Sequence, residues 1–307
     1  MQYRRFGRTG HDVSVIGFGG AEIGVLETEQ QRVSDLLNEM LDVGVNVIDT
    51  AAMYRGSEDL IGRAIGHRRD EYVLISKCGH AADGIDAEPW TPTLVTATVD
   101  RALRRLRTDA LDVMLLHSCD LETLQRGDAL GALIAARDAG KVRHVGYSGD
   151  NDAGAWAAAH PDIAVIETSI NICDQVNIDQ VLPACVEHDV GVLVKRPIAN
   201  AAFRKLEDIP ERYHNYASVY IDRLRAMALT PESCGFSDDQ WAELALRFTL
   251  SQPGTHSAVI GTTNPVNVRA NIEAANKGPL SDDIIATIRE AFERGQATAD
   301  DAWTGQT

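Results

Sequence analysis

The sequence predicts an α/β fold, an eight-stranded (β/α)8 TIM barrel, and three observations carry that prediction. Short runs rich in β-branched residues alternate with longer stretches of helical period, there are eight such runs, and most are too apolar to keep one face in water. Parallel strands covered by helices have this pattern, and eight is the number that closes. The runs are VSVIGFG (13–19), VNVIDT (45–50), YVLISK (72–77), LDVMLLH (111–117), VRHVGYS (142–148), IAVIETS (163–169), VGVLVKR (190–196) and HSAVIG (256–261). A barrel of this kind needs roughly 250 residues. The remainder of the 307 is assigned to a leading segment and to a long, charged loop after the seventh run, 206–235, which carries Tyr213, Tyr216 and Tyr220 and has room for some helix. No Gly/Ser linker marks a second unit, so residues 1–307 are expected to form one domain.

The helices between these runs have their own signals. Val33, Leu36, Leu37, Met40 and Leu41 recur on one helical face, with Thr28 and Gln31 as an expected capping box and Gly44 where a C′ residue belongs. Thr91-Pro92 opens a helix with an apolar face of Val95, Val99, Ala102, Leu103 and Leu106. Ser237 and Gln240 form a second expected box, ahead of Trp241, Leu244, Ala245 and Phe248; Asp282 and Asp283 suit the first turn of the last helix. The competing fold is a doubly wound nucleotide-binding sheet, suggested by GFGGAEIG at 17–24. Its fingerprint needs glycine where the chain has Glu22, and no GxxxxGK[ST] loop occurs anywhere. Gly17, Gly19 and Gly20 are better explained as backbone that approaches a ligand.

Composition limits the class of partner. A formal net charge of −16 repels nucleic acid and anionic membrane surfaces, and no apolar stretch approaches the roughly 20 residues of a membrane span. Five cysteines, an odd number without a CxxC pair, fit a reducing compartment, so the expected location is cytoplasmic.

In such a barrel chemistry collects at the C-terminal strand ends. The second strand ends in Asp49, the third in Lys77, the fourth in His117, the fifth in Ser148, the sixth in Glu167 and the seventh in Lys195 and Arg196; Tyr54 follows just past Asp49. One such residue is commonly a cap or a surface charge. Several on one rim can form a coupled site in which Asp49 keeps Lys77 charged and Lys77 lowers the pKa of Tyr54. That arrangement suits a carbonyl: His117 and Tyr54 would bind its oxygen, and Tyr54 would deliver or take the proton. No metal is required. Side chains cannot supply hydride, so a nicotinamide cofactor is expected.

These residues resemble the aldo-keto reductase family over essentially the whole chain. YRRFGRTGHDVSVIGFGG is similar to the family's N-terminal β-hairpin and first strand, DTAAMY matches D-T-A-x-x-Y, and GTTNPVNVRANI fits near the end. The resemblance implies a catalytic tetrad of Asp49, Tyr54, Lys77 and His117. It also implies an NAD(P)H site formed by Gly20, Ala21, Asp49, Ser148, Gly149 and Glu167, continuing through Arg196, Pro197, Ile198 and Asn200 to Gly261, Thr262, Thr263, Asn267 and Asn271. Several of these depart from the family pattern: Gly149 replaces an asparagine, Glu167 a glutamine and Arg196 a serine, and Ile170 stands where many members stack a tyrosine on the nicotinamide. Lys195, Arg196, Arg204 and Lys205 form a local basic run expected to face pyrophosphate. Gly261 and Asn267 occupy positions where a lysine and an arginine usually hold a 2′-phosphate, leaving Arg269 as the nearest cation. By resemblance NADP(H) is favoured over NAD(H), the partner is a small carbonyl compound or sugar lactol, and the chain is a monomer or weak oligomer. Trp90 and the tyrosines of 206–235 are candidate pocket walls.

Two other functions compete. Cys78, His80, His117 and Cys119 flank two strand ends and suggest a zinc-dependent barrel hydrolase. The altered nicotinamide pocket suggests a nucleotide-binding regulatory subunit with little turnover.

Overall fold

The computed structural model describes residues 1–26 and 28–307. Tyr3–Arg5 (β1) and Asp12–Ser14 (β2) pair as an antiparallel hairpin. Eight further strands run parallel and close: Ile16–Gly19 (β3), Val47–Asp49 (β4), Val73–Cys78 (β5), Leu111–His117 (β6), Val142–Ser148 (β7), Ile163–Ser169 (β8), Gly191–Lys195 (β9) and Ser257–Ile260 (β10), with β10 pairing β3. The first predicted run therefore divides between hairpin and barrel. The backbone N–H of Ser14 donates to the Asn46 side chain at 2.7 Å, and its hydroxyl donates to the Ile16 carbonyl at 2.7 Å.

Alternation inside these strands positions the site. Val47, Val73, Ile75, Val113, Leu115, Val165, Leu193 and Val259 point inward and fill the barrel, with Phe6 among them. Ile48, Leu74, Met114, Leu116 and Ile166 point outward and pack under the helices. Both faces are buried, so hydropathy hides the period of two.

The helix Gln30–Asp42 buries its five predicted apolar residues, and Gly44 adopts a left-handed φ of 88° as its C′. The expected Thr28–Gln31 box does not form. Glu29 is the N-cap, the Thr28 amide turns back to the Ile23 carbonyl, and Gln31 donates to Asp35 one turn on at 2.8 Å. The box at Ser237 and Gln240 is present, Thr91 caps Pro92–Leu106, and Asp282 and Asp283 begin the helix Asp282–Gln296. The segment after β9 is more ordered than a loop: it contains the helix His214–Met227, which packs with Trp241–Leu250 and Asp282–Gln296 around a second core. Among the described residues no helix is long and apolar enough to cross a membrane.

Candidate active site

On five of the strands a polar group stands two residues beyond an inward apolar one, toward the rim. Val47 leads to Asp49, Ile75 to Lys77, Leu115 to His117, Val165 to Glu167 and Leu193 to Lys195. His117, Ser148 and Glu167 are level across three strands, whereas Asp49 lies opposite Ile75, Lys77 opposite Leu115 and Glu167 opposite Leu193, so at those steps the next strand carries its polar residue two positions further on.

The Lys77 ammonium donates to both carboxylate oxygens of Asp49 at 2.6 Å and to the Thr50 carbonyl at 3.1 Å. Glu167 Oε2 lies 3.2 Å from the same nitrogen but makes no hydrogen bond. All three side chains are buried. The turn after β4 brings Tyr54 over them: the Ala52 amide donates to the Lys77 carbonyl at 3.2 Å, and Lys77 Nζ lies 5.4 Å from the Tyr54 ring centre. His117 meets Tyr54 edge-on at 5.9 Å and His80 at 5.4 Å.

Burial opposes charge on Lys77, yet Asp49 and Glu167 outweigh it and hold its pKa well above the ordinary lysine value, so the ammonium persists. Burial and Glu167 push Asp49 up against the pull of Lys77. Tyr54 rises to about 12 because burial, reinforced by the two carboxylates, exceeds the lowering by Lys77. The expected direction of its shift is thus reversed, chiefly by burial and then by the two carboxylates that oppose Lys77. Tyr54 is a phenol at neutral pH. Burial, followed by the charge of Lys77, holds His117 well below the usual histidine range, so its imidazole is neutral.

A cleft opens from this rim toward β9 and β10. Its lining includes Ala21, Asp49, Tyr54 and Glu167, then Arg196, Pro197, Ile198 and Asn200, and Gly261, Thr262, Asn267 and Asn271, while Lys77 and His117 lie behind it, against Asp49 and Tyr54. Gly20, Ser148, Gly149 and Thr263 stand outside that lining. Gly20 has no room for a Cβ against Ser57 Oγ and donates its amide to the Asp49 carbonyl at 2.7 Å, a packing role. At Gly149 a Cβ would run into the Tyr147 phenol, whose hydroxyl donates to the Cys119 carbonyl at 2.6 Å. Ile170 is buried in the core under the helices, and Lys195 reaches the cleft instead.

The basic run separates. Lys195 pairs with Asp150 at 2.9 Å, and Lys205 is exposed beside Glu207. Arg196, at a left-handed φ of 57°, lies 3.8 Å over the Tyr216 ring and donates to Ser169 Oγ and to the Gln306 carbonyl. Arg204 lines the cleft. Arg269 pairs with Glu39 and is not part of the lining. Of the candidate aromatic walls, Tyr213 lines the cleft, Tyr220 is buried against Asp174, and Trp90 folds over Gly79 against His80. Glu22 and Phe203 also line it without having been anticipated. Glu22 follows directly on Ala21, which was the available signal; Phe203 had none.

The Aldo/keto reductase family model matches residues 15–293. The chain belongs to the aldo/keto reductase family. Family membership makes it an oxidoreductase of a class that generally uses nicotinamide cofactors. It is 27% identical to an uncharacterized oxidoreductase, YqkF, of Bacillus subtilis, over 94% of this chain and 96% of that protein. It is 25% identical to L-galactose dehydrogenase of Arabidopsis thaliana, over 90% and 89% respectively. The holo form of an aldo-keto reductase from Bacillus halodurans superposes with a TM-score of 0.79 at 26% identity, covering 95% of this chain and 96% of the other. No three His, Cys, Asp or Glu side chains among the described residues are grouped to hold a metal, which leaves the zinc-hydrolase alternative without ligands. Burial also pushes the thiols of Cys78 and Cys119 up, the latter to about 12, away from thiolate.

Proposed function

We propose that the protein is an NAD(P)-dependent oxidoreductase that interconverts a small carbonyl compound, or a sugar in its lactol form, with its partner in the other oxidation state. The observation that carries this reading is the meeting of Tyr54, the Lys77–Asp49 pair and His117 at the mouth of one cleft. The cleft fits the cofactor: Glu167 Oε2, ion-paired with Lys77 at 3.2 Å but without a hydrogen bond, is a buried acceptor suited to a carboxamide NH2, and Arg204 is a cation in the lining that could meet a phosphate. When bound, the nicotinamide supplies or accepts the hydride.

The chain's own residues do the rest. Neutral His117 donates a hydrogen bond to the substrate oxygen and stabilises the charge that grows there. Tyr54, held as a phenol, gives that oxygen its proton in reduction and as phenolate takes one in oxidation. Lys77 favours the phenolate in the transition state, and Asp49 keeps Lys77 charged and aimed. The sugar reading draws on the relative named L-galactose dehydrogenase.

The choice of dinucleotide turns on the 2′-phosphate. NADP(H), expected by resemblance, asks for a cation at the far end, where Gly261, Thr262, Asn267 and Asn271 line the cleft and Arg269 is bound to Glu39. NAD(H) is therefore proposed to bind at least as well. Titration with NADH and NADPH, followed by turnover on aldehydes and aldoses, tests the reading. Tyr54→Phe should cut kcat by at least about a thousandfold, the scale of a lost acid–base group together with a lost oxyanion donor, while leaving nucleotide affinity nearly unchanged. Wild-type rates in that variant would sink the mechanism.

A further inference from the structure

We propose that the carbonyl substrate of this cleft carries a carboxylate and that the Arg196 guanidinium binds it. The inference rests on the oxidoreductase reading above and specifies the class of carbonyl compound.

Arg196 is the first residue past β9, and its φ of 57° lies in the left-handed region where glycine would be unstrained. The chain keeps a long, charged side chain there nonetheless, and holds it still. The Tyr216 ring, from the helix His214–Met227, lies 3.8 Å from the guanidinium carbon. Nη1 donates to Ser169 Oγ at 2.9 Å and to the Gln306 carbonyl, and the Ser169 hydroxyl donates to that same carbonyl at 2.9 Å. Gln306 is fixed in turn by its amide, which donates to Asp174 at 2.9 Å. A guanidinium has five N–H bonds. Ser169 and Gln306 engage Nη1, the Tyr220 oxygen beside it is one further acceptor, and the remaining donors are open to a ligand.

These neighbours are all neutral. The carboxylates of the region are taken by other cations: Asp150 pairs with Lys195 at 2.9 Å, Asp174 lies 3.6 Å from Arg223, and Asp49 and Glu167 share Lys77. Arg196 therefore brings an unpaired positive charge, stacked and tethered, to a partly buried place. An anion relieves the cost of that charge, and a fork already held in one orientation loses little freedom on binding it.

Position decides which anion. Arg196 lines the same cleft as Tyr54, and the Ser169 that holds it stands two residues beyond Glu167 on β8. Behind burial and the larger effect of Lys77, its charge still acts on both Tyr54 and His117, the two groups that face the reacting oxygen. The guanidinium thus serves the carbonyl end, and Arg204 remains for phosphate. A carboxylate accepts two parallel N–H bonds from such a fork, which an ester or a hydroxyl cannot match. Oxo acids, and uronic acids in their lactol form, fit this site.

The test is steady-state kinetics of wild type, Arg196→Gln and Arg196→Lys on matched pairs, with a thermal melt and a nucleotide titration of each protein. Glyoxylate and succinic semialdehyde are reduced beside their methyl esters, and glucuronate is oxidised beside glucose. The ratio of kcat/KM for the acid to that for its uncharged partner cancels whatever a substitution does to both. In wild type it should exceed one for at least one pair. In Arg196→Gln that ratio should fall by at least about tenfold, chiefly through KM, the scale of a hydrogen bond to a charged group, and Arg196→Lys, which keeps the charge and loses the fork, should lie between. A wild-type ratio of one or less for every pair, or a preference that survives Arg196→Gln, would overturn the inference and leave the oxidoreductase reading standing. Equal losses on both members of a pair, matched by weaker nucleotide binding, would also overturn it, because Arg196 would then hold the dinucleotide phosphates. Absence of turnover on every compound would do the same, and failure to bind either nucleotide would take the proposed function with it.

Discussion

A Cβ on Gly149 would collide with the phenol of Tyr147, and that phenol cannot swing away without breaking its 2.6 Å hydrogen bond to the Cys119 carbonyl. Gly149 therefore fills no gap that a side chain could recover. Restoring the family's asparagine with Gly149→Asn should destabilise the protein by about 2 kcal/mol, the range for forcing atoms into a packed site, and gain no nucleotide affinity. Combining it with Tyr147→Val removes the obstacle and should recover stability relative to Gly149→Asn alone while tightening nucleotide binding. Urea denaturation and a nucleotide titration of the single and double variants read the two effects; a stable, tight-binding single variant would show that Tyr147 is not the cause. Tyr147 carried no warning in the sequence. Its outward position puts it under the helices, and only its bend toward Gly149 makes it relevant to the rim.

Between elements, Arg101 links two loops, one of which leads to Tyr54, the proposed acid–base group. Buried in the helix Pro92–Leu106, it donates to the Ala52 carbonyl at 2.9 Å, two residues before Tyr54, and to the Asp83 carbonyl at 2.5 Å in the loop after β5. Glu58, also buried, accepts from Ser76 at 2.8 Å and faces Arg101 at 3.9 Å. Arg101→Met should cost about 3 kcal/mol, because it removes two hydrogen bonds and leaves the buried Glu58 with only Ser76 and the more distant Arg105, and should lower kcat through a loosened Tyr54 turn. Adding Glu58→Gln should return most of the stability and little of the turnover. If kcat recovered in step with stability, Arg101 would be a support for the fold alone. The barrel, and the meeting of Asp49, Tyr54, Lys77 and His117 at its rim, could be foreseen because they depend on local pattern: eight apolar runs, and a polar residue two steps beyond an inward one, as in Ile75 and Lys77. The fate of Lys195, Arg196 and Arg269 could not, since Asp150, the Gln306 carbonyl and Glu39 approach them from distant parts of the chain.

The whole molecule separates stability from chemistry along the barrel axis. At the end opposite the rim, Phe6 from the hairpin packs so closely on Gly191 that no side chain fits there, and it meets the His256 ring edge-on at 5.8 Å. His256 Nδ1 accepts a hydrogen bond from the Val192 amide at 3.0 Å, a bond that a protonated nitrogen cannot make. Burial, helped by the charge of Arg4, lowers its pKa to about 4. An unfolded histidine titrates near 6.5, so between those values the unfolded chain binds more protons than the native one. The sign follows: this contribution is fully present above about pH 6.5 and is lost as pH falls toward 4. Its upper bound is about 3 kcal/mol, less for a ring that keeps some solvent contact. His256→Gln should therefore be less stable than wild type at pH 7.5, lose less stability on going to pH 5, and bind nucleotide as wild type does. Urea midpoints at the two pH values, compared between the proteins, isolate this group from the others that titrate. Equal losses in both would remove His256 from the acid response, and altered nucleotide affinity would show that the two ends of the barrel are coupled.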